Sequence, residues 1–248
     1  MPAAQPTMRG NWRVYHHASI DSTNLEALRL AGREALPWTA VLADTQTAGR
    51  GRLGRTWTDL PGRCVLLTAL AFPPPGAEPL LAPAMAVSAV LALERIGARE
   101  VAIKWPNDVL IRGRKVAGVL AEGPTNGLVA VGIGLNANAG ADDIPEDIRG
   151  RATFASVELG HELDRLRFAD SVLSHFEHQH HRLMAGERAE IVAALREHDC
   201  LAGRAIRARS GADLIEGRAK GWTDDGRLAI IDGDGHEIAL DAGEVTLS

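Results

Sequence analysis

Residues 44–57 form a segment rich in glycine and arginine, and it constrains the possible folds more than any other part of the chain. Its glycines follow the spacing G-x-G-x-x-G, which in dinucleotide-binding folds joins a strand to a helix. A strand is predicted before the segment, at 39–43, but residues 56–62 are turn-like and no helical pattern follows. The spacing alone therefore does not predict a dinucleotide-binding domain.

The same segment carries Arg50, Arg52 and Arg55, in a chain whose formal net charge is −5. Glycine lets a backbone approach a ligand closely, and arginine supplies permanently charged donors for carboxylate and phosphate groups. A solvated basic surface loop is the ordinary alternative. We predict instead a loop that holds a small anionic ligand, because a second basic motif follows downstream.

That second motif is Lys-Trp-Pro-Asn-Asp at 104–108. Its proline stops regular strand pairing, and the strands predicted at 109–111 and 116–122 form a hairpin behind it. Lys104 and Asp108 are therefore expected at strand ends near a turn, where functional sites are commonly built. A local surface ion pair between these two residues is the alternative.

The remaining pattern predicts alternating helices and strands. These are a helix at 25–30, a strand at 65–72, a proline-rich loop at 72–76, a helix at 81–96, a strand at 128–135 and a helical region at 165–199. Ser22 or Thr23 suits the cap of the first helix. This alternation predicts a layered α/β or α+β domain.

The last part of the chain changes character. Short alternating segments at 205–209, 216–222, 228–232 and 237–240 are separated by glycine- and aspartate-rich turns. Such spacing is typical of hairpins. We therefore predict a small all-β module of the SH3-like kind.

Composition narrows the class of protein. The chain has 248 residues, of which 46% are hydrophobic, enough for one sizeable core and a small second domain. The acidic balance argues against general nucleic-acid binding. Only Cys64 and Cys200 are present, which excludes a disulfide framework. Residues 1–11 lack the apolar core of a signal peptide, and the apolar run at 80–93 is too short to span a bilayer. A cytoplasmic protein without membrane contact is expected.

Four histidines, His175, His178, His180 and His181, fall in the predicted helical region. The spacing of the first two would allow metal binding, but no zinc-type cysteine or carboxylate motif accompanies them. A solvated helix face is the favoured interpretation.

Four ordered motifs, Ser22-Thr23-Asn24, Asp44 to Trp57, Lys104 to Gly118 and Gly132 to Asn136, resemble those of biotin protein ligases. The resemblance extends from about Ser19 to the end of the chain. It implies an α+β fold with a class II synthetase-like catalytic domain, a mixed sheet flanked by helices, over residues 1–200. It also implies an SH3-like β-barrel over residues 201–248.

The implied activity is ATP-dependent ligation of biotin to one lysine of a biotin carboxyl carrier protein domain, through biotinyl-5′-AMP. Mg²⁺ would accompany ATP. Some relatives carry an N-terminal helix-turn-helix domain, for which the residues before Ser22 are too few. No DNA binding is therefore expected. Whether the protein is a monomer or a homodimer is left open.

The resemblance also implies roles for individual residues. The implied biotin-binding residues are Ser22, Thr23, Asn24, Gln46, Arg50, Gly51, Arg52, Lys115 and Gly118. The implied ATP-binding residues are Arg52, Arg55, Trp57, Lys104, Asn107, Asp108, Lys115 and Asn136. Catalytic roles fall to Lys115, Asp108, Arg50 and Arg52.

Several of these roles have alternatives. Arg55 would meet the β- and γ-phosphates or lie at the rim, and Trp57 would stack near adenine or anchor the loop. Asn107 and Asp108 are hard oxygen donors for Mg²⁺, with Asn136 as a further candidate. Asp108 would alternatively orient the acceptor lysine or take its proton.

Two other functions compete with biotin ligation. Lipoate ligases and octanoyltransferases share the fold, but their Arg-Arg-x-Gly-Gly-Gly loop and downstream histidine are missing from this sequence. A non-enzymatic sensor of biotin or nucleotide would not need both Lys115 and the Asn107-Asp108 pair.

Overall fold

The computed structural model describes residues 5–34, 38–73, 75–144, 146–211 and 213–247. Predictions for residues 1–4 and for Pro74 of the proline-rich loop lie outside this part of the chain. The strands are β1 Thr7–Arg9, β2 Trp12–His17, β3 Thr39–Ala43, β4 Cys64–Ala71, β5 Val101–Lys104, β6 Asp108–Ile111, β7 Arg114–Thr125, β8 Leu128–Asn136, β9 Ala205–Ser210, β10 Asp213–Trp222, β11 Leu228–Asp232, β12 Glu237–Leu240 and β13 Glu244–Leu247. The α-helices are α1 Thr23–Glu34, α2 Leu81–Arg95, α3 Ala155–Leu159, α4 Arg165–Met184 and α5 Arg188–Glu197.

The larger sheet has eight strands in the order β1-β2-β3-β4-β8-β7-β6-β5. Only β2 and β3 pair in parallel; the other neighbouring strands of this sheet are antiparallel. The sheet is therefore mixed. The paired strands β4 and β8 lie at its centre, and every residue of β4 is buried.

Helices cover both faces of this sheet. On one face, α2 and α4 pack in the same cluster as alternate β4 residues such as Leu67 and Ala69. On the other face, Ala27 and Ala31 of α1 pack against Leu70. Burial on both faces explains why β4 reads as a continuous apolar run rather than an alternating one. The predicted mixed sheet flanked by helices is confirmed.

The second sheet is antiparallel and has five strands in the order β12-β11-β10-β9-β13. This arrangement is consistent with the predicted SH3-like fold. Its buried residues, among them Ile206 and Trp222, belong to the same hydrophobic cluster as Ile103 and Trp105 of the first part. The indole of Trp105 also donates to the carbonyl of Gly226, at 3.3 Å. The domain boundary at residues 200 and 201 stays a prediction.

The predicted helical region at 165–199 is two helices, α4 and α5. The break follows Met184, where Gly186 adopts φ +80°, a conformation that ends a helix readily. The predicted solvated histidine face is wrong for His180, which is 7% exposed. Its Nε2 lies 2.8 Å from the carbonyl oxygen of Phe72. Burial lowers its pKa below the usual value.

No metal-ligand group of three includes the histidines of α4 in the part of the chain that the structure describes. Within the same residues, no helix is both long and apolar enough to cross a membrane.

Candidate active site

A small cavity of about 30 Å³ lies where the start of α1 meets β7, β8 and the arginine loop, the segment at 44–57. Its lining residues are Ser22, Thr23, Asn24, Gln46, Arg50, Trp57, Gly118, Leu120, Gly132, Ile133 and Gly134. The carbonyl of Ser22 accepts the first helical hydrogen bond, from the amide of Glu26. The predicted capping residues Ser22 and Thr23 therefore lie in one wall of the cavity with Asn24 and Gln46, which were also predicted to bind biotin.

Hydrogen bonds hold the polar side chains of this wall. The Oε1 of Gln46 accepts from the amide and the hydroxyl of Thr23, at 2.8 and 3.0 Å. The buried hydroxyl of Thr68 donates to Oδ1 of Asn24, at 2.6 Å. The Nδ2 of Asn24 donates to the carboxylate of Glu122, at 2.8 Å. This network fixes the orientation of both amide groups beside the cavity.

Two glycines of β8 leave room for the side chains of Asn24 and Trp57, which pack directly on the strand. A Cβ atom on Gly132 would lie 2.0 Å from Oδ1 of Asn24. A Cβ atom on Gly134 would lie 2.5 Å from the indole of Trp57. Gly134 pairs with Gly118 of β7, so the indole rests on a flat floor made by both strands. The Nε1 of Trp57 is buried and has no hydrogen-bond partner among the residues that the structure describes.

Lys115 lies beside this floor. Its Nζ is 2.6 Å from Oδ1 of Asp108 and 5.8 Å from the centre of the Trp57 ring. The backbone of Lys115 is held on both sides, by hydrogen bonds to the carbonyl of Arg151 and from the amide of Thr153. The ammonium group is therefore held from a fixed backbone beside Trp57 and Gly118, two of the lining residues.

The arginine loop brings further positive charge to the same place. Arg50 forms an ion pair with Glu122, at 2.9 Å. Arg52 donates to the carbonyl of Gly243 at 3.3 Å and lies 3.5 Å from Oδ1 of Asn107. Burial lowers the pKa of the Arg52 guanidinium, although the group stays charged at neutral pH.

The third arginine of this loop, Arg55, pairs with Glu244 of β13. The contact between Arg52 and Asn107 shows that the two basic segments are adjacent in the fold.

Some of the predicted site residues do not line the cavity. The predicted site residues that are not among the described lining residues of the cavity are Gly51, Arg52, Arg55, Lys104, Asn107, Asp108, Lys115 and Asn136. The amide of Asn136 donates to the carbonyl of Thr153. Gly51 lies in the loop and bonds through its amide to the carbonyl of Arg55, so its role stays a prediction.

Other residues of the site were missed by sequence reasoning. Ile133 belongs to a motif that was named but was given no role. The residues that lie outside the motifs are Thr68, Leu120, Glu122, Gly243 and Glu244. Glu122, which follows the apolar part of β7, carried the one signal that could have been recognised, since a carboxylate there requires a partner. The others depend on contacts between distant segments.

The donors proposed for Mg²⁺ are compatible with it in chemical type. Asn107 and Asp108 offer an amide oxygen and a carboxylate, both hard ligands. The Nδ2 of Asn107 donates to the carbonyl of Val119 at 2.6 Å, which turns Oδ1 toward Arg52. Both oxygens lie beside cations, so phosphate oxygens would have to complete the coordination.

Residues 17–138 match the biotin/lipoate A/B protein ligase family, and residues 202–248 match the biotin protein ligase C-terminal domain. The chain is 39% identical over 241 residues to a biotin–[acetyl-CoA-carboxylase] ligase of Paracoccus denitrificans, covering 92% of this chain and 98% of the relative. It is 33% identical over 232 residues to the bifunctional ligase/repressor BirA of Bacillus subtilis, covering 91% and 71%. A structure of the Aquifex aeolicus biotin protein ligase with biotin and ATP is similar with a TM-score of 0.83 at 30% identity, covering 95% of this chain and 99% of that one.

Proposed function

The chain belongs to the biotin protein ligases of the biotin/lipoate A/B protein ligase family, and we propose that it joins biotin to a lysine of a biotin carboxyl carrier protein domain at the expense of ATP. Apart from family membership, one structural observation supports the proposal. Arg50 lines the small cavity, and the Nζ of Lys115 lies 5.8 Å from the ring of Trp57, another lining residue. Arg52 contacts Asn107, so positive side chains from two separate segments are adjacent beside one cavity.

The first step needs that charge. A carboxylate oxygen of biotin attacks the α-phosphorus of ATP, and the bond from that phosphorus to pyrophosphate breaks. Two anions must approach each other, and negative charge spreads over the phosphoryl oxygens in the transition state. Lys115 would bridge the biotin carboxylate and the α-phosphate. Arg52 and Arg55 would meet the remaining phosphates, since preorganised cations stabilise such charge.

Mg²⁺ bound with ATP would be held by Asn107 and Asp108 and would neutralise phosphate charge. Asp108 now pairs with Lys115. When the substrates bind, their anionic groups would therefore replace the Asp108 carboxylate as the partner of Lys115.

The ureido ring of biotin needs a few placed donors and acceptors amid apolar walls. Ser22, Thr23 and Gln46 supply them on the polar wall, while Leu120 and Ile133 supply apolar surface. The Trp57 indole either stacks near adenine or anchors the loop.

In the second step the neutral amine of the acceptor lysine attacks the carbonyl carbon of biotinyl-AMP, and AMP leaves. A carboxylate such as Asp108 would orient the amine or accept its proton. The acceptor domain would contact the ligase through main-chain pairing at a sheet edge, for which β1 and β5 are the edges of the larger sheet.

The test is pyrophosphate exchange into ATP with biotin, lipoate or octanoate supplied separately. Exchange stimulated by biotin alone supports the proposal, whereas stimulation by lipoate or octanoate selects the related acyl ligases. Binding of biotin without any exchange selects a sensor.

Lys115→Ala should abolish exchange in a folded protein. Lys220→Ala, which removes an exposed partner of Glu237 in the second sheet, is the matched control and should exchange normally. Full activity of Lys115→Ala would remove this residue from the mechanism.

A further inference from the structure

The turn before β13 reaches from the second sheet to the arginine loop. The carbonyl of Gly243 accepts a hydrogen bond from Arg52, and the carboxylate of the next residue, Glu244, pairs with Arg55. Gly243 and the first residue of β13, Glu244, therefore contact two of the three arginines in the loop. Neither Gly243 nor Glu244 lines the cavity that holds the polar wall.

Two other cations beside the site have carboxylate partners, whereas Arg52 contacts the amide oxygen of Asn107 and the carbonyl of Gly243. Arg50 pairs with Glu122, and Lys115 pairs with Asp108. Glu122 is fixed further by the amide of Asn24, at 2.8 Å. Glu244 differs because it belongs to the other sheet and its partner lies near the surface, with the Arg55 side chain 67% exposed.

We propose that Glu244 occupies the position of an ATP phosphate oxygen at Arg55 and is displaced when the nucleotide binds. This inference rests on the proposed function, in which Arg55 meets the outer phosphates. A guanidinium binds carboxylate and phosphate through the same fork of donors, so one anion can replace the other without moving Arg55. The triphosphate carries more negative charge than a single carboxylate and displaces it.

The two possible roles of Glu244, a placeholder for phosphate or a permanent partner that positions Arg55, predict opposite changes in the KM for ATP. If Glu244 competes with ATP, removing its charge lowers the KM for ATP. If it holds Arg55 in the productive position, the same change raises that KM. Exposed ion pairs are weak, so the expected decrease is about twofold to fivefold.

The decisive variant is Glu244→Gln, which keeps the shape of the side chain and removes its charge. We expect its KM for ATP in biotin-dependent exchange to fall about twofold to fivefold, with the KM for biotin unchanged. Glu244→Ala should give the same shift. The control, Glu237→Gln, breaks the exposed pair with Lys220 in the same sheet and should leave both constants unchanged.

A second measurement identifies the partner. In an Arg55→Gln background, Glu244→Gln should no longer change the dissociation constant for ATP measured by titration calorimetry. An unchanged or raised KM in Glu244→Gln, or an effect that persists without Arg55, would overturn the inference. Failure of the proposed function is separate, because the unmodified protein would then show no biotin-dependent exchange at all.

Discussion

Glu158 of α3 anchors the hairpin that carries Lys115, and replacing it with alanine tests how firmly that hairpin is held. Its side chain is 2% exposed. The Oε1 of Glu158 accepts from Arg114 at 2.5 Å and from the hydroxyl of Thr153 at 2.6 Å, and Oε2 lies 3.5 Å from Arg112. Both arginines flank the turn between β6 and β7.

The expected loss follows from these exposures. Removing one partner of a fully buried ion pair costs about 3–5 kcal/mol, because the other charge is left without a partner. Here the side chains of Arg114 and Arg112 are 34% and 50% exposed and can regain water. We therefore expect Glu158→Ala to lower the free energy of unfolding by about 2–3 kcal/mol.

Urea unfolding followed by tryptophan fluorescence measures this loss. The matched control is Glu162→Ala, which removes a pair with Arg63 whose side chains are 72% and 53% exposed. That variant should lose less than about 1 kcal/mol. If Glu158→Ala loses no more than the control, the carboxylate does not anchor the hairpin and the reasoning fails.

Three further predictions concern other parts of the molecule. Gly132→Ala places Cβ 2.0 Å from Oδ1 of Asn24, so biotin-dependent exchange should fall about tenfold or more. Gly233→Ala, which meets open space, should leave exchange unchanged. Burial lowers the pKa of His180, so the unfolded chain binds more protons and stability falls as pH drops below about 6.5. His180→Gln should reduce the change in urea midpoint between about pH 7.5 and pH 5.5, and an unchanged slope would contradict this. Burial raises the pKa of the Cys200 thiol to about 11, so iodoacetamide at about pH 8 should modify it slowly until urea is added, as mass spectrometry would show.

Local chemistry explains which elements could be predicted from the sequence. The hairpin of β6 and β7 and the strands of the second sheet are bounded by glycine and aspartate turns, whose signals lie within a few residues. β2 was missed because it pairs in parallel with β3, across the whole of α1, and alternates two buried apolar residues with polar residues that are half-buried or exposed. β1 has three residues, too few for a period to show. β13, the one strand of the second sheet that was not predicted, has four residues and is short for the same reason.

In the candidate site, too, local sequence signals could be recognised and contacts between distant segments could not. The residues of the four motifs could be named, because their types already indicate anion binding and helix capping. Their partners could not, since Arg50 meets Glu122 and Arg55 meets Glu244 only after the sheets have formed. Lys104 was assigned to the site with its motif, and it pairs in register with Asp108 across β5 and β6, so its role stays a prediction.

The position of Trp57 on the floor of Gly118 and Gly134 gives the protein an intrinsic optical reporter. The emission of an indole responds to the polarity around it, and this ring borders the space that a ligand must enter. Occupancy of the cavity should therefore be readable from the unlabelled protein. Since the chain has five tryptophans, a Trp57→Phe variant would identify which part of the signal belongs to this ring.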